Sequence, residues 1–337
     1  MGATLAVVVV VVGAYVTRAH TPRIATPQGI ASLESIELGG YDQAVLIRGE
    51  DVSKPVLLFL HGGPGMPAMY LAHAFQRPLE ADFIVVQWDQ RGAGKSYRSD
   101  LDLETLRVSQ LLSDATQLVD TLRSRFSQEK VYLVGHSWGS YLGTLLAQSI
   151  PDHLWAYVGV GQVVGGPQVD SLQAEFIRRE AEARGVPEAL EDLETQGTAG
   201  HEKWLFRFGA ELTGATSWVP LLLTGLWAPE YNLRDVFRVA PGSSTSSARM
   251  VHDVIDRPIG TEVTSYSIPT FFFTGRSDWT TPHPLISEFY ERIEAPHKEL
   301  VWFEESAHFP FFEEPARFAE ELRRVRDLVS GSSEGTI

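Results

Sequence analysis

The stretch Gly135-His136-Ser137-Trp138-Gly139 sets a serine between two glycines. An apolar run, Val131–Val134, leads into it, and a helical pattern from Tyr141 to Ile150 follows. A serine on a sharp strand-to-helix turn is exposed, held in strained backbone, and lies at the positive end of a helix dipole. Its hydroxyl is still a poor nucleophile unless a histidine takes its proton and a carboxylate fixes that histidine's tautomer. Asp278 and His308 meet the order such a set needs. Asp278 lies in the turn Arg276-Ser277-Asp278 after the apolar run Phe271–Phe273, and His308 follows the run ending at Phe303, just before the last helical pattern. His61, His73, His136, His283 and His297 compete. The first three precede the serine, His283 follows Asp278 too closely, and His297 comes before the last strand.

Acyl transfer also creates an oxyanion, and each backbone N–H aimed at it contributes on the order of 3 kcal/mol. The Trp138 amide is one candidate donor. The other is in His61-Gly62-Gly63-Pro64-Gly65, directly after the apolar run Val56–Leu60. Gly63 is the best candidate there, because a residue without Cβ lets the backbone approach a substrate closely. A second glycine-rich segment, Asp89-Gln90-Arg91-Gly92-Ala93-Gly94-Lys95-Ser96, ends like a phosphate loop, but that motif requires glycine where Asp89 stands. Nucleotide binding is rejected on that ground. No metal-ligand spacing is visible, so neither metal nor cofactor is expected.

These residues need a frame. From Ser35 onward, strands alternate with helical patterns, which predicts an α/β fold with a mainly parallel sheet and helices on both faces. Ser35–Leu38 and Gln43–Ile47 read as an opening hairpin turned at Gly39-Gly40. Val56–Leu60, Phe83–Gln87, Val131–Val134, Ala156–Val160, Ile268–Phe273 and Glu299–Phe303 read as later strands, and Leu103–Phe126 and Glu314–Val329 as helices. Between about Gln162 and Pro258 the alternation stops, and breaks such as Ala240-Pro241-Gly242-Ser243-Ser244 interrupt a helix-like stretch. The simplest account is a core of 35–161 and 259–330 carrying an inserted helical cap, 162–258. Residues 331–337 read as a disordered polar tail.

Composition narrows the partners. A net charge of −15 argues against nucleic acid and anionic lipid. The absence of cysteine excludes disulfides, thiolate metal sites and a thiol nucleophile. Residues 1–17 carry no charged side chain and include six consecutive valines, Val7 to Val12, followed by Arg18 and Arg23. This is the lower limit of a spanning helix, and Val12-Gly13-Ala14 would serve as a small-residue cleavage site. A membrane anchor or export signal is therefore expected, with a cytoplasmic arm as the alternative, and 18–34 as a linker.

His61–Gly65, Asp89-Gln90-Arg91-Gly92-x-Gly94-x-Ser96 and Gly135-x-Ser137-Trp138-Gly139 together resemble the prolyl aminopeptidase (proline iminopeptidase) branch of the α/β-hydrolase superfamily. The resemblance runs from about residue 35 to 329. It implies an eight-stranded sheet, a helical cap, and Ser137, Asp278 and His308 as a catalytic triad with Gly63 and Trp138 as the oxyanion hole. Such aminopeptidases hold the substrate's amino group with cap glutamates, and Trp227-Ala228-Pro229-Glu230-Tyr231 is similar to a segment that carries one. Glu230 is the expected substrate-binding residue; the alternative is a solvated glutamate at a helix start. The expected activity is a serine hydrolase that forms an acyl-enzyme and releases an N-terminal residue, such as proline, from short peptides. A carboxylesterase or small-amide hydrolase would use the same machinery, and a non-catalytic ligand-binding protein would retain only the pocket.

Overall fold

A computed structural model describes residues 19–333. The apolar segment 1–17 lies outside them, as do the anchor and export readings attached to it. Among the described residues, no helix is long and apolar enough to cross a membrane.

Eight strands form one sheet: β1 (Ile30–Leu38), β2 (Tyr41–Gly49), β3 (Val56–Leu60), β4 (Ile84–Trp88), β5 (Val131–His136), β6 (Leu154–Val160), β7 (Thr270–Gly275) and β8 (Lys298–Phe303). Their order is β1-β2-β4-β3-β5-β6-β7-β8. The β1–β2 and β2–β4 pairs are antiparallel and the rest are parallel. Central strands such as β3 and β4 are buried at every position, as uninterrupted apolar runs between two helical layers should be. The edge strand β1 is instead half-buried over most of its length and exposes Glu37, a charge that discourages pairing with another sheet. It starts at Ile30, ahead of the expected Ser35, because 30–34 pair in register with 45–49 of β2. That pairing takes residues 30–34 out of the expected linker.

Two apolar layers enclose the sheet. On one face, helices α1 (Val108–Phe126) and α2 (Trp138–Ser149) bury Leu111, Leu118, Leu122, Leu142 and Leu146. On the other, the last helix, Pro315–Ser333, contributes Phe318, Leu322 and Val325. Between β6 and β7 lie α3 (Gln168–Arg184), α4 (Pro187–Gln196), α5 (His201–Arg207), α6 (Val219–Gly225) and α7 (Leu233–Asp256). Helices α3 to α5 have a separate small core that includes Ile177, Ala189 and Trp204.

The run Ala240–Ser244, expected to break the chain, lies inside the 24-residue α7. A capping box at Asn232 and Asp235 starts this helix. Its Gly242 then lies against the Gly92 carbonyl so closely that a Cβ would come within 2.6 Å of it. Ser246, one turn further on, donates to the same carbonyl at 3.3 Å. Tertiary packing thus overrides the local helix-breaking signal.

Candidate active site

Ser137 sits at the junction of β5 and α2 with φ 52° and ψ −123°, a conformation that side chains other than glycine's rarely adopt. Close backbone contact holds it there. A Cβ on Gly135 would lie 2.3 Å from the Gly139 carbonyl oxygen, and one on Gly139 would lie 2.2 Å from that of Leu60. Only glycine lets β5, α2 and β3 approach this closely.

Asp278 and His308 come together behind the serine turn. His308 Nδ1 lies 2.8 Å from Asp278 Oδ2, and both side chains are buried. Thr281 fixes the carboxylate, its amide donating to Oδ1 at 3.0 Å and its hydroxyl to Oδ2 at 2.9 Å. The His308 loop is held from below, because Glu313 accepts from the amides of Ala307 and Phe309 at 3.0 and 3.2 Å. With Nδ1–H committed to Asp278, Nε2 is the ring nitrogen left to accept a proton. Burial pushes the imidazolium of His308 down, but the charge and hydrogen bond of the adjoining Asp278 carboxylate, with Glu211 and Glu313 adding to them, outweigh it, and the net shift is upward, to about 9. Gly161 closes the other side: a Cβ there would meet His308 at 2.9 Å and Asp278 at 3.2 Å.

His61 and Gln90 join the two glycine-rich turns. The Gln90 amide donates to His61 Nε2 at 3.1 Å, so His61 Nδ1 carries the hydrogen and donates to the Gly62 carbonyl at 2.8 Å. Gln90 also accepts from Trp138 Nε1 at 3.0 Å and donates to the His61 carbonyl at 3.3 Å. Burial drives the His61 pKa down to about 4, so the ring is neutral and structural. Gly63 has φ +115°. Among the described residues its amide donates to no backbone carbonyl, and the Trp138 amide, in the first turn of α2, has no intrahelical partner. Arg91 pairs with the buried Asp114 at 2.8 Å, and Lys95 donates to the Glu230 carbonyl at 3.0 Å. The phosphate-loop look-alike therefore has its cationic groups consumed inside the fold.

Ser137, Gly63 and His308 line one cleft of about 410 Å³, together with Glu202, Glu211 and Trp218 from the segment between β6 and β7. Glu230 is not part of it. Lys95 holds its carbonyl and Tyr231 donates to Asp89, which turns the Glu230 side chain toward Thr21, whose hydroxyl donates to it at 3.1 Å. It adjoins the buried Arg48–Glu80 pair in a separate small cavity. The assignment of Glu230 to a substrate amine is corrected accordingly, and its solvated alternative fails too, since the residue is buried. The carboxylates that do face the cleft, Glu202 and Glu211, were missed. Glu211 follows Gly209-Ala210 with no helical or motif signal around it. It accepts from the Thr280 hydroxyl, and burial raises its pKa.

This sheet, with a serine on the turn after its central β5, defines the class. A profile of the α/β-hydrolase fold family matches residues 55–315, and the chain belongs to that family, in its prolyl aminopeptidase-like branch. It is a hydrolase. The chain is 33% identical to the probable aminopeptidase YbaC of Bacillus subtilis (strain 168), over 88% of this chain and 96% of that one. It is 24% identical to the proline iminopeptidase of Heyndrickxia coagulans, over 78% and 87%. The proline iminopeptidase-related protein from Thermus thermophilus shares the fold, with TM-score 0.62, 20% identity and coverage of 88% and 97%.

Proposed function

We propose that the protein is a serine hydrolase that forms an acyl-enzyme on small substrates with a free amino terminus. The observation that carries this reading is the buried His308–Asp278 pair, at 2.8 Å, whose histidine lines the same cleft as the strained Ser137. Ser137 Oγ attacks the scissile carbonyl as its proton passes to His308 Nε2, and Asp278 steadies the imidazolium. The amides of Gly63 and Trp138 receive the oxyanion. Collapse breaks the bond to the leaving group, which takes the proton from His308. Water, activated by the same histidine, then hydrolyses the ester on Ser137. Glu211, with Glu202 nearby, pairs with the substrate's ammonium, because a desolvated carboxylate in a cleft selects for a cation. The branch and the relatives' names support an N-terminal residue, proline among the candidates, as the acyl portion.

The direct test is kcat/KM on prolyl and alanyl arylamides against their acetyl-blocked forms, together with fluorophosphonate labelling. A labelled Ser137 and a clear preference for the unblocked amides are expected. Equal rates on blocked and unblocked amides would remove the aminopeptidase reading and leave esterase or amidase activity; failure to label would remove the serine mechanism.

A further inference from the structure

A second cavity opens on the other side of Ser137. It has about 470 Å³ and is walled by Val163, Val164, Val169, Val254, Leu285 and Ile286. Among its polar side chains, those of Gln162, Thr280 and Thr281 are occupied. Gln162 donates to the Val163 carbonyl at 2.9 Å and accepts from Tyr157 at 2.7 Å. The Thr281 hydroxyl is spent on Asp278, and that of Thr280 on Glu211. The charged residue on its lining is Asp170, an exposed carboxylate. Among the described residues, neither this cavity nor the first has a lysine or arginine on its lining.

A substrate spanning Ser137 puts its acyl part in one cavity and its leaving group in the other. If the ammonium goes to Glu211, the leaving group goes among the valines. A free dipeptide would carry its terminal carboxylate there, into apolar surroundings with no cation and with Asp170 alongside. Burying an unpaired carboxylate is strongly unfavourable. A blocked carboxyl or an alkyl or aryl group meets no such penalty and gains by burial.

We propose that the second cavity is the leaving-group site and that it selects uncharged, apolar leaving groups. The preferred substrates are then amino-free aminoacyl amides and esters with a blocked carboxyl end, rather than free dipeptides. This rests on the reading of Ser137 as nucleophile and Glu211 as amine partner.

The test compares alanyl-leucinamide with alanyl-leucine on the full-length enzyme and on Ile255→Lys. Ile255 is 62% exposed at the cavity lining, so a lysine there is tolerated by the fold. The amide is expected to exceed the acid in kcat/KM by about tenfold or more, from the desolvation of an unpaired charge. Ile255→Lys should shift the acid-to-amide ratio of kcat/KM about threefold toward the acid, from a single new charge near the surface. Equal rates on acid and amide, or a ratio unmoved by Ile255→Lys, would overturn the proposal. A parallel series of acetyl esters with methyl, butyl and benzyl leaving groups needs no substrate amine. If the amino-free pair is not cleaved but these esters are, the amine reading has failed alone. A rate rising with leaving-group size then supports the cavity's role, and a flat series overturns it.

Discussion

The two walls of the Ser137 cleft are built differently. The sheet-side wall places Ser137, Gly63 and His308 on turns pinned by close contact, backbone to backbone at Gly135 and Gly139 and backbone to side chain at Gly161. The facing wall places Glu202, Glu211 and Trp218 on or between short helices, among which α3 to α5 share a core of their own. Fixed backbone suits chemistry, where small displacements of reacting atoms change rates steeply. Side chains on helices suit selection, since they can change without disturbing the sheet.

The contrast predicts that variants of the first wall lower turnover on every substrate, and variants of the second only on some. Ser137→Ala is the largest case: kcat on both blocked and unblocked substrates should fall by about 10³-fold or more, with circular dichroism unchanged. Asp278→Asn should lower kcat by roughly 10²–10⁴-fold, because the imidazole loses its orienting partner. It also tests the titration. The base must be neutral and its pKa is shifted up, so wild-type kcat/KM should rise with pH through a midpoint above the ordinary imidazole range, toward about 9. Removing the carboxylate removes the largest upward pull, so the residual activity should titrate lower. Blocked esters are the substrates for this profile, since a free α-amino group itself titrates at about 8.

Glu211→Gln comes next. On unblocked amides kcat/KM should fall about 10- to 100-fold through KM, as expected for loss of one charged hydrogen bond, while blocked esters stay within about twofold. A uniform loss on both would erase the distinction between the walls. Gln90→Ala is the smallest: it strands Trp138 Nε1 and the His61 carbonyl, so a loss of about 2 kcal/mol in denaturant unfolding is expected.

The first wall was legible in the sequence because its demands are local. Gly135 and Gly139 tolerate no Cβ, the apolar runs of β3, β4 and β5 have no surface to alternate toward, and the order serine, aspartate, histidine follows from turns at strand ends. The second wall was not. Nothing adjacent to Glu211 marks it as buried, and its place depends on Thr280, far along the chain. Glu230 carried a local likeness but is turned away by contacts of Lys95 and Tyr231 with the Asp89 turn. The proline in α7 misled for the same reason: contact with Gly92 settles that helix, and no window of sequence contains both.

Helix α7 is seated on the loops that bear both glycine-rich motifs. At Gly65 a Cβ would meet Ser246 at 2.6 Å, and at Gly92 it would meet the Ser246 hydroxyl at 2.7 Å. A roof fastened this tightly beside the oxyanion turn cannot be raised in one piece without dismantling that turn. Opening of the entrance is therefore expected to fall to the α3–α5 packet, which has an apolar core of its own and carries Glu202.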